Sequence, residues 1–275
     1  GSAGTASTAM GGVDLALWDL KGKIIGQPVY ALLGGPVRES ITCYATGDDL
    51  DWAQELGFTK FKITNPSHYS EGDAGIKAVI THVAQARERV GIDRDLMINP
   101  VMSYNVEFAL RLLEELKPYN LRWLEEPLVP TDSDGLAHLR RSAPWVAIAA
   151  GEDHHGRHAF LDLVEKRAVD ILQPDFTWGG GMTEAWKAHT IGEMAGMATI
   201  PHGGANNPFG QHFAMAATES PMAEYWMGSD PGVPLDETVR IPGTVVPVNG
   251  TVRPSNEPGF GMQFEPSDIS DWGAN

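Results

Sequence analysis

Short apolar runs that stop on a polar residue recur through the middle of the chain. Asp95-Leu96-Met97-Ile98 closes on Asn99 and Pro100, and Leu121-Arg122-Trp123-Leu124 closes on Glu125, Glu126 and Pro127. Val146-Ala147-Ile148-Ala149-Ala150-Gly151 closes on Glu152, Asp170-Ile171-Leu172-Gln173-Pro174 on Asp175, and Met197-Ala198-Thr199-Ile200-Pro201 on His202. The polar tips are 26, 27, 23 and 27 residues apart. That spacing suits one strand, one helix and two loops. Proline cannot donate to a ladder, so a strand stops where it appears. The pattern therefore predicts five strands in succession, ending at Asn99, Glu125, Glu152, Asp175 and His202, with their polar tips at the same end.

The flanking sequence extends the alternation. Residues 5–26 read as a helix with Ala9, Val13, Leu15, Ala16, Leu17 and Leu20 on one side, stopped by Gly26-Gln27-Pro28. A short apolar turn follows at 28–33. Residues 40–47 alternate as a first strand and 58–64 as a second, with a short helix at 51–56 between them. Lys60 and Lys62 are two apart and share a face. Helices are expected at 73–90, 106–117, 134–141, 158–167, 182–195 and 209–218, and an eighth strand at 223–227. Gly179-Gly180-Gly181 reads as a tight strand-to-helix turn rather than a phosphate cradle, because no lysine follows it. Eight strands alternating with helices imply a closed parallel α/β barrel. After residue 229 glycine and proline are dense and no helical period appears, so that tail is expected to pack outside the barrel.

Composition narrows the function. The chain has 275 residues, 42% of them hydrophobic, enough for one large core. No apolar run is long enough to span a bilayer, and no signal peptide is visible at the start. A single cysteine, Cys43, excludes an internal disulfide and fits a reducing cytoplasm. The net charge of -16 argues against nucleic acid and anionic lipid. With eight lysines against 36 acids, the surface fits an ordinary acidic enzyme or one solvated at high salt.

In a parallel barrel the site lies at the carboxyl ends of the strands. Lys60 or Lys62, Asn99, Glu125, Glu152, Asp175, His202 and Glu224 are thus expected at one mouth. Neighbouring carboxylates repel one another without a cation, and oxygen ligands without thiolates favour a hard ion such as magnesium. Asn99, Glu125 and Glu152, from three successive strands, are the natural trio. Asp175 and His202 end adjacent strands, and a carboxylate on one imidazole nitrogen raises the basicity of the other. A metal between a lysine and a histidine suits removal of a weakly acidic proton beside a carboxylate.

These residues resemble the enolase superfamily, mandelate racemase subgroup, and within it the sugar-acid dehydratases of the L-rhamnonate type. The resemblance rests on Val13-Asp14-Leu15-Ala16-Leu17-Trp18-Asp19-Leu20-Lys21-Gly22-Lys23, Trp123-Leu124-Glu125-Glu126-Pro127, Gln173-Pro174-Asp175 and Gly179-Gly180-Gly181-Met182-Thr183. Pro201-His202-Gly203, Val246-Pro247-Val248-Asn249-Gly250 and Pro258-Gly259-Phe260-Gly261 add to it. It implies a modified TIM barrel, (β/α)7β, with an N-terminal α+β capping lobe largely absent from this chain. The expected divisions are 1–39 for the connecting helix and end of that lobe, 40–228 for the barrel, and 229–275 for a segment packed outside it against the cap.

It further implies a magnesium site at Asn99, Glu125 and Glu152, a His202–Asp175 dyad as acid and base, Lys62 on the opposite face, and Glu224 hydrogen-bonded to substrate. Lys60, His154 and His155 are candidate substrate contacts, and Glu126 is expected to be salt-bridged or to support the ligands. The implied reaction removes the C2 proton of an aldonate and expels the C3 hydroxyl, giving a 2-keto-3-deoxy acid. Expected partners are a small sugar acid and further copies of the chain. The sequence departs from the family pattern at Asn99, where aspartate is usual, and in 151–156, which is one residue longer. A racemase or epimerase using the same enediolate, and a non-catalytic sugar-acid binder favoured by Asn99, are the alternatives.

Overall fold

The computed structural model describes residues 4–264. Eight parallel strands form one sheet in the order β7-β6-β5-β4-β3-β2-β1-β8. They are β1 (Ile41–Thr46), β2 (Lys60–Thr64), β3 (Asp95–Asn99), β4 (Trp123–Glu125), β5 (Ala147–Ala150), β6 (Ile171–Leu172), β7 (Ala198–Thr199) and β8 (Ala223–Trp226). Seven helices link them: α3 (Leu50–Glu55), α4 (Gly72–Val90), α5 (Val106–Leu116), α6 (Ser133–Ser142), α7 (Gly156–Glu165), α8 (Gly181–Met194) and α9 (Pro208–Ala216). No ladder joins β7 to β8. Loop bonds span that gap instead, from Thr199 N–H to Glu219 O (2.8 Å) and from Ala205 N–H to Glu224 O (2.7 Å). The result is a (β/α)7β barrel.

Local chemistry sets these elements. Asp49, Asn105, Asp132 and Asn207 each accept a backbone N–H of the first turn that follows, at α3, α5, α6 and α9. Helix α5 buries Phe108, Ala109, Leu112, Leu113 and Leu116, the face its 3.6-residue period predicts. Inside the barrel, Tyr44, Met97, Trp123, Ala149, Ile171, Ile200 and Met222 fill the lower interior, with Tyr44 and Trp123 edge to face at 5.3 Å. Charged groups stand above this floor.

Two expectations need correction. Strands β5, β6 and β7 end two or three residues before Glu152, Asp175 and His202. Gly151 sits at φ 150, and Pro174 and Pro201 have no N–H to continue a ladder, so the three side chains hang on turns beyond the strand tips. Second, helix α1 (Thr5–Ile25) does not bury its apolar side. Ser7, Gly11, Leu15 and Gly22 are buried, whereas Met10, Val13, Leu17, Leu20 and Ile24 are exposed. Close packing selects the small residues: a Cβ on Gly22 would lie 2.6 Å from the Cα of Gly259, and one on Gly11 would lie 3.0 Å from the Thr177 carbonyl. The tail meets the barrel at the amino-terminal end of its first strand. Its strand β9 (Thr251–Val252) pairs antiparallel with the start of β1. Its Gly259 bridges to Pro28, just before the short helix α2 (Val29–Leu32). The last expected residues, 265–275, lie outside the described residues.

Candidate active site

Lys62 is the centre of the mouth. Its side chain is 1% exposed, and its ammonium meets Glu125 Oε1 and, at 2.7 Å, Glu224 Oε1. Burial alone would strip its proton, but the two carboxylates outweigh that and hold the ammonium charged well above the ordinary lysine range. The face of Tyr44 lies beneath it, 5.6 Å from Nζ to the ring centre. Glu224 also accepts from Thr46 Oγ1 (2.7 Å) and from Gly203 N–H (2.9 Å). Burial opposes its charge, yet Lys62 and then His202 draw its carboxyl down to about 2.

His202 and Asp175 are adjacent, Nδ1 to Oδ2 at 3.0 Å. The other Asp175 oxygen accepts from Thr177 N–H (2.6 Å), Thr177 Oγ1 (2.7 Å) and Trp178 N–H (2.9 Å), which fixes the carboxylate against the imidazole. Gly179 permits this turn, since a Cβ there would strike the Asp175 carbonyl at 2.3 Å. The free nitrogen, Nε2, is 3.7 Å from Glu152 Oε1. Burial disfavours the imidazolium. The bond from Asp175, with Glu224 and Glu152 nearby, overrides it and lifts His202 to about 9. The Trp178 ring lies tilted against that of His202, 5.2 Å between centres, and donates Nε1–H to the Glu152 carbonyl.

Of the expected metal trio, Asn99 and Glu125 are in contact, and Glu152 hangs on the turn beyond β5. Glu125, 1% exposed, accepts from four donors: Lys62, Asn99 Nδ2 (2.9 Å), Trp123 Nε1 (2.9 Å) and Gln173 Nε2 (2.7 Å). Asn99 Oδ1 accepts Val101 N–H at 2.7 Å, so the amide presents its NH2, not its oxygen, to Glu125. Among the described residues, the acidic oxygens that do converge are those of Glu126, Glu152 and Asp153, all within 4.8 Å of one another. The expected salt bridge of Glu126 is absent among the described residues; burial first, then Glu152, Glu125 and Asp153, pushes its carboxyl up to about 9. Glu152 is likewise raised by burial and by Glu125 and Glu224, against the pull of His202 and Lys62. Carboxylate oxygens so grouped are the donors a hard divalent cation takes, although Glu152 also faces His202 Nε2 at 3.7 Å, and Asn99 presents its NH2 rather than its oxygen.

The remaining candidates divide. Lys60 stands at the opposite end of β2 from the mouth, paired with Asp95 at the start of β3. The parallel register forces this: Lys60 shares the inward face of Lys62 but starts the strand. His154 is buried with neither nitrogen partnered, its ring 6.0 Å from Phe160, and burial lowers it to about 4. His155 Nδ1 meets the Trp178 carbonyl at 2.8 Å, which ties the turn after β5 to the turn after β6. A cavity of about 800 Å³ opens beside His202, lined by Trp178, Asn206, Trp226 and the tail residues Glu237, Arg240 and Thr244. Trp178, Gln173, Thr46 and Asp153 escaped the sequence reading. Gln173 and Asp153 flank recognised residues and could have been taken with them; nothing local marks Thr46 or the tail.

Residues 48–268 match the sequence model of the enolase C-terminal domain-like family. The chain belongs to the enolase superfamily. Residues 2–34 also match the mandelate racemase / muconate lactonizing enzyme N-terminal domain. A putative L-rhamnonate dehydratase from Caldivirga maquilingensis is 41% identical over 271 residues, covering 96% of this chain and 66% of that protein. An L-rhamnonate dehydratase from Saccharopolyspora erythraea is 40% identical over 270 residues, covering 97% and 68%. This superfamily member thus spans about two thirds of the length of the curated relatives it matches. Among solved structures, rhamnonate dehydratase from Gibberella zeae complexed with Mg superposes with a TM-score of 0.91 at 33% identity, covering 98% of this chain and 67% of that one. A racemase from Streptomyces coelicolor with bound magnesium gives 0.81 at 27% identity, covering 96% and 74%. Among the described residues, no helix is long and apolar enough to cross a membrane.

Proposed function

We propose that the chain dehydrates a sugar acid in a magnesium-dependent reaction, giving a 2-keto-3-deoxy acid, with L-rhamnonate as the first substrate to try. The observation that carries this is the His202–Asp175 pair opening onto a cavity of about 800 Å³, with Glu224, bonded to Gly203 N–H beside His202, holding the buried Lys62. The names of the relatives at 40–41% identity support the substrate class.

In this reading His202 takes the C2 proton through Nε2 and returns a proton to the departing C3 hydroxyl, so water leaves and the enol relaxes to the ketone. Asp175 keeps the ring oriented and stabilises its charged form. Lys62 and Glu224 bind and polarise the carboxylate end and the hydroxyls. The acidic residues of the mouth, Glu152 among them, would hold a divalent cation, which would supply positive charge against the negative charge that builds as C2 loses its proton. Trp178 and the tail shield the cavity from water.

A racemase or epimerase would use the same enediolate and deliver a proton to its other face, and Lys62, held charged by two carboxylates, is able to give one; the product separates the two reactions. The test is a panel of five- and six-carbon aldonates incubated with Mg2+ and scored for 2-keto-3-deoxy products. Keto acid formation from one or more supports the reading; inversion at C2 without loss of water, or binding without turnover, replaces it by a racemase or a binder.

A further inference from the structure

We propose that the amino-terminal end of the barrel carries a binding site for a phosphorylated small molecule, held by Arg94, Arg122 and Arg141. The site stands at the opposite end of the strands from Lys62 and His202 and is separate from the reaction proposed above.

The chain is strongly acidic, yet four of its 12 arginines, Arg94, Arg122, Arg140 and Arg141, line one cavity of about 550 Å³. Arg94 and Arg122 stand directly before β3 and β4, and Arg140 and Arg141 lie in the last turn of α6. Two of the acids beside them are engaged. Asp170 accepts Arg140 Nε–H at 2.7 Å on one oxygen and Ile148 N–H at 3.0 Å on the other, and Asp95 pairs with Lys60. Among the described residues, the Arg122 and Arg141 guanidiniums have no hydrogen-bond or ion-pair partner, and Arg94 donates only to the neutral amide of Gln54. Three guanidiniums set against Asp93 leave two positive charges in the cavity. A phosphate monoester carries a charge of about -1.5 to -2 and three acceptor oxygens. It matches the surplus charge and the planar donor forks together, whereas a single carboxylate would leave one charge unmet.

A fifth arginine fixes the rim of this cavity. Arg87 of α4 is 7% exposed, and its guanidinium donates to the carbonyls of Gly91 (2.7 Å), Arg94 (2.7 Å), Tyr119 (2.8 Å) and Asn120 (2.9 Å). Those carbonyls belong to the two loops that deliver Arg94 and Arg122. Both loops are therefore held in place before a ligand arrives, which lowers the ordering cost of binding. Trp145, 40% exposed, and Ile92, 53% exposed, add an apolar wall. The volume lies within the range of small-molecule sites, so the phosphate is expected to carry an organic group that meets this wall.

The test is calorimetric titration of phenyl phosphate into the full chain without Mg2+, with Arg122→Gln, Arg141→Gln and Arg89→Gln beside the parent. Arg122 and Arg141 are exposed, so their replacement leaves the core untouched; Arg89, exposed on α4 and outside this cavity, is the control. The proposal predicts one saturable site per parent chain. Either cavity variant should weaken it by about tenfold or more, and Arg89→Gln by less than about twofold. Citrate, titrated in the same way, should bind more weakly than phenyl phosphate. Binding that survives both cavity variants, tighter binding of citrate, or no saturable binding overturns the proposal. No binding together with a fall in light-scattering mass in Arg122→Gln would make the rim a contact between copies of the chain instead.

Discussion

Lys60 and Lys62 lie two residues apart on one strand and point the same way, yet they do unrelated things. Lys60 opens β2 at the amino-terminal rim, where it pairs with Asp95; both side chains keep more than a quarter of their surface, at 27% and 29%. Lys62 is two residues nearer the mouth, 1% exposed, and bound to two carboxylates that are equally buried. Residue type and face are the same. What differs is water. At the rim the pair is screened and contributes little. At the mouth water is excluded, so the two carboxylates keep the lysine charged, and the lysine in turn draws the Glu224 carboxyl down. The His202–Asp175 pair lies between these extremes, its imidazole 29% exposed and its carboxylate 7%.

The comparison breaks most visibly at Lys62. Replacing it by methionine strands Glu125 and Glu224, and breaking a buried pair costs about 3–5 kcal/mol. Keto acid formation should fall about a thousandfold with it. Urea unfolding and the aldonate assay check both. If Lys62→Met is as stable and as active as the parent, the mouth is not organised by this lysine.

A buried group without a counter-charge sharpens the point. His212 in α9 is fully buried, accepts Tyr30 N–H on Nδ1 at 3.2 Å, and is held down at about 4 by burial despite Asp19. Its folded value lies below the unfolded one of about 6.5, so the unfolded chain binds the extra proton between those values. Its contribution to stability is therefore complete above about pH 6.5 and is lost as pH falls toward 4, on the order of 3 kcal/mol in all. Urea midpoints measured from pH 7.5 to 4.5 should decline more steeply in the parent than in His212→Gln; equal slopes would remove His212 from the account. The smallest effect belongs to Lys60→Met, worth less than about 1 kcal/mol, with keto acid formation unchanged. A large loss of activity there would erase the distinction between rim and mouth.

The barrel was legible because its periodicity is regular: each apolar run and each 3.6-residue stripe survives burial on both sides. The dyad was legible because Asp175 and His202 close consecutive runs. Three things were hidden, each for a physical reason. The direction of α1 depends on Gly11 and Gly22 approaching other backbone, and two apolar stripes on one helix do not say which is inside. The position of Lys60 depends on strand register, since two inward residues can face opposite ends. The relation of Glu125 to its neighbours depends on Lys62 of β2, Asn99 of β3, Trp123 of its own strand and Gln173 just beyond β6, and no local spacing reveals that the four converge on one carboxylate. The wall contributed by residues 237–244 comes from a tail without periodicity, which leaves sequence reasoning nothing to follow.

The most direct measurement is the rate of keto acid formation from L-rhamnonate with Mg2+ by His202→Asn beside the parent chain, with circular dichroism to show that both are folded. The rate is predicted to fall by at least about a hundredfold. A variant that retains the parent rate would mean that the His202–Asp175 pair does not move the proton, and the site as described would be wrong.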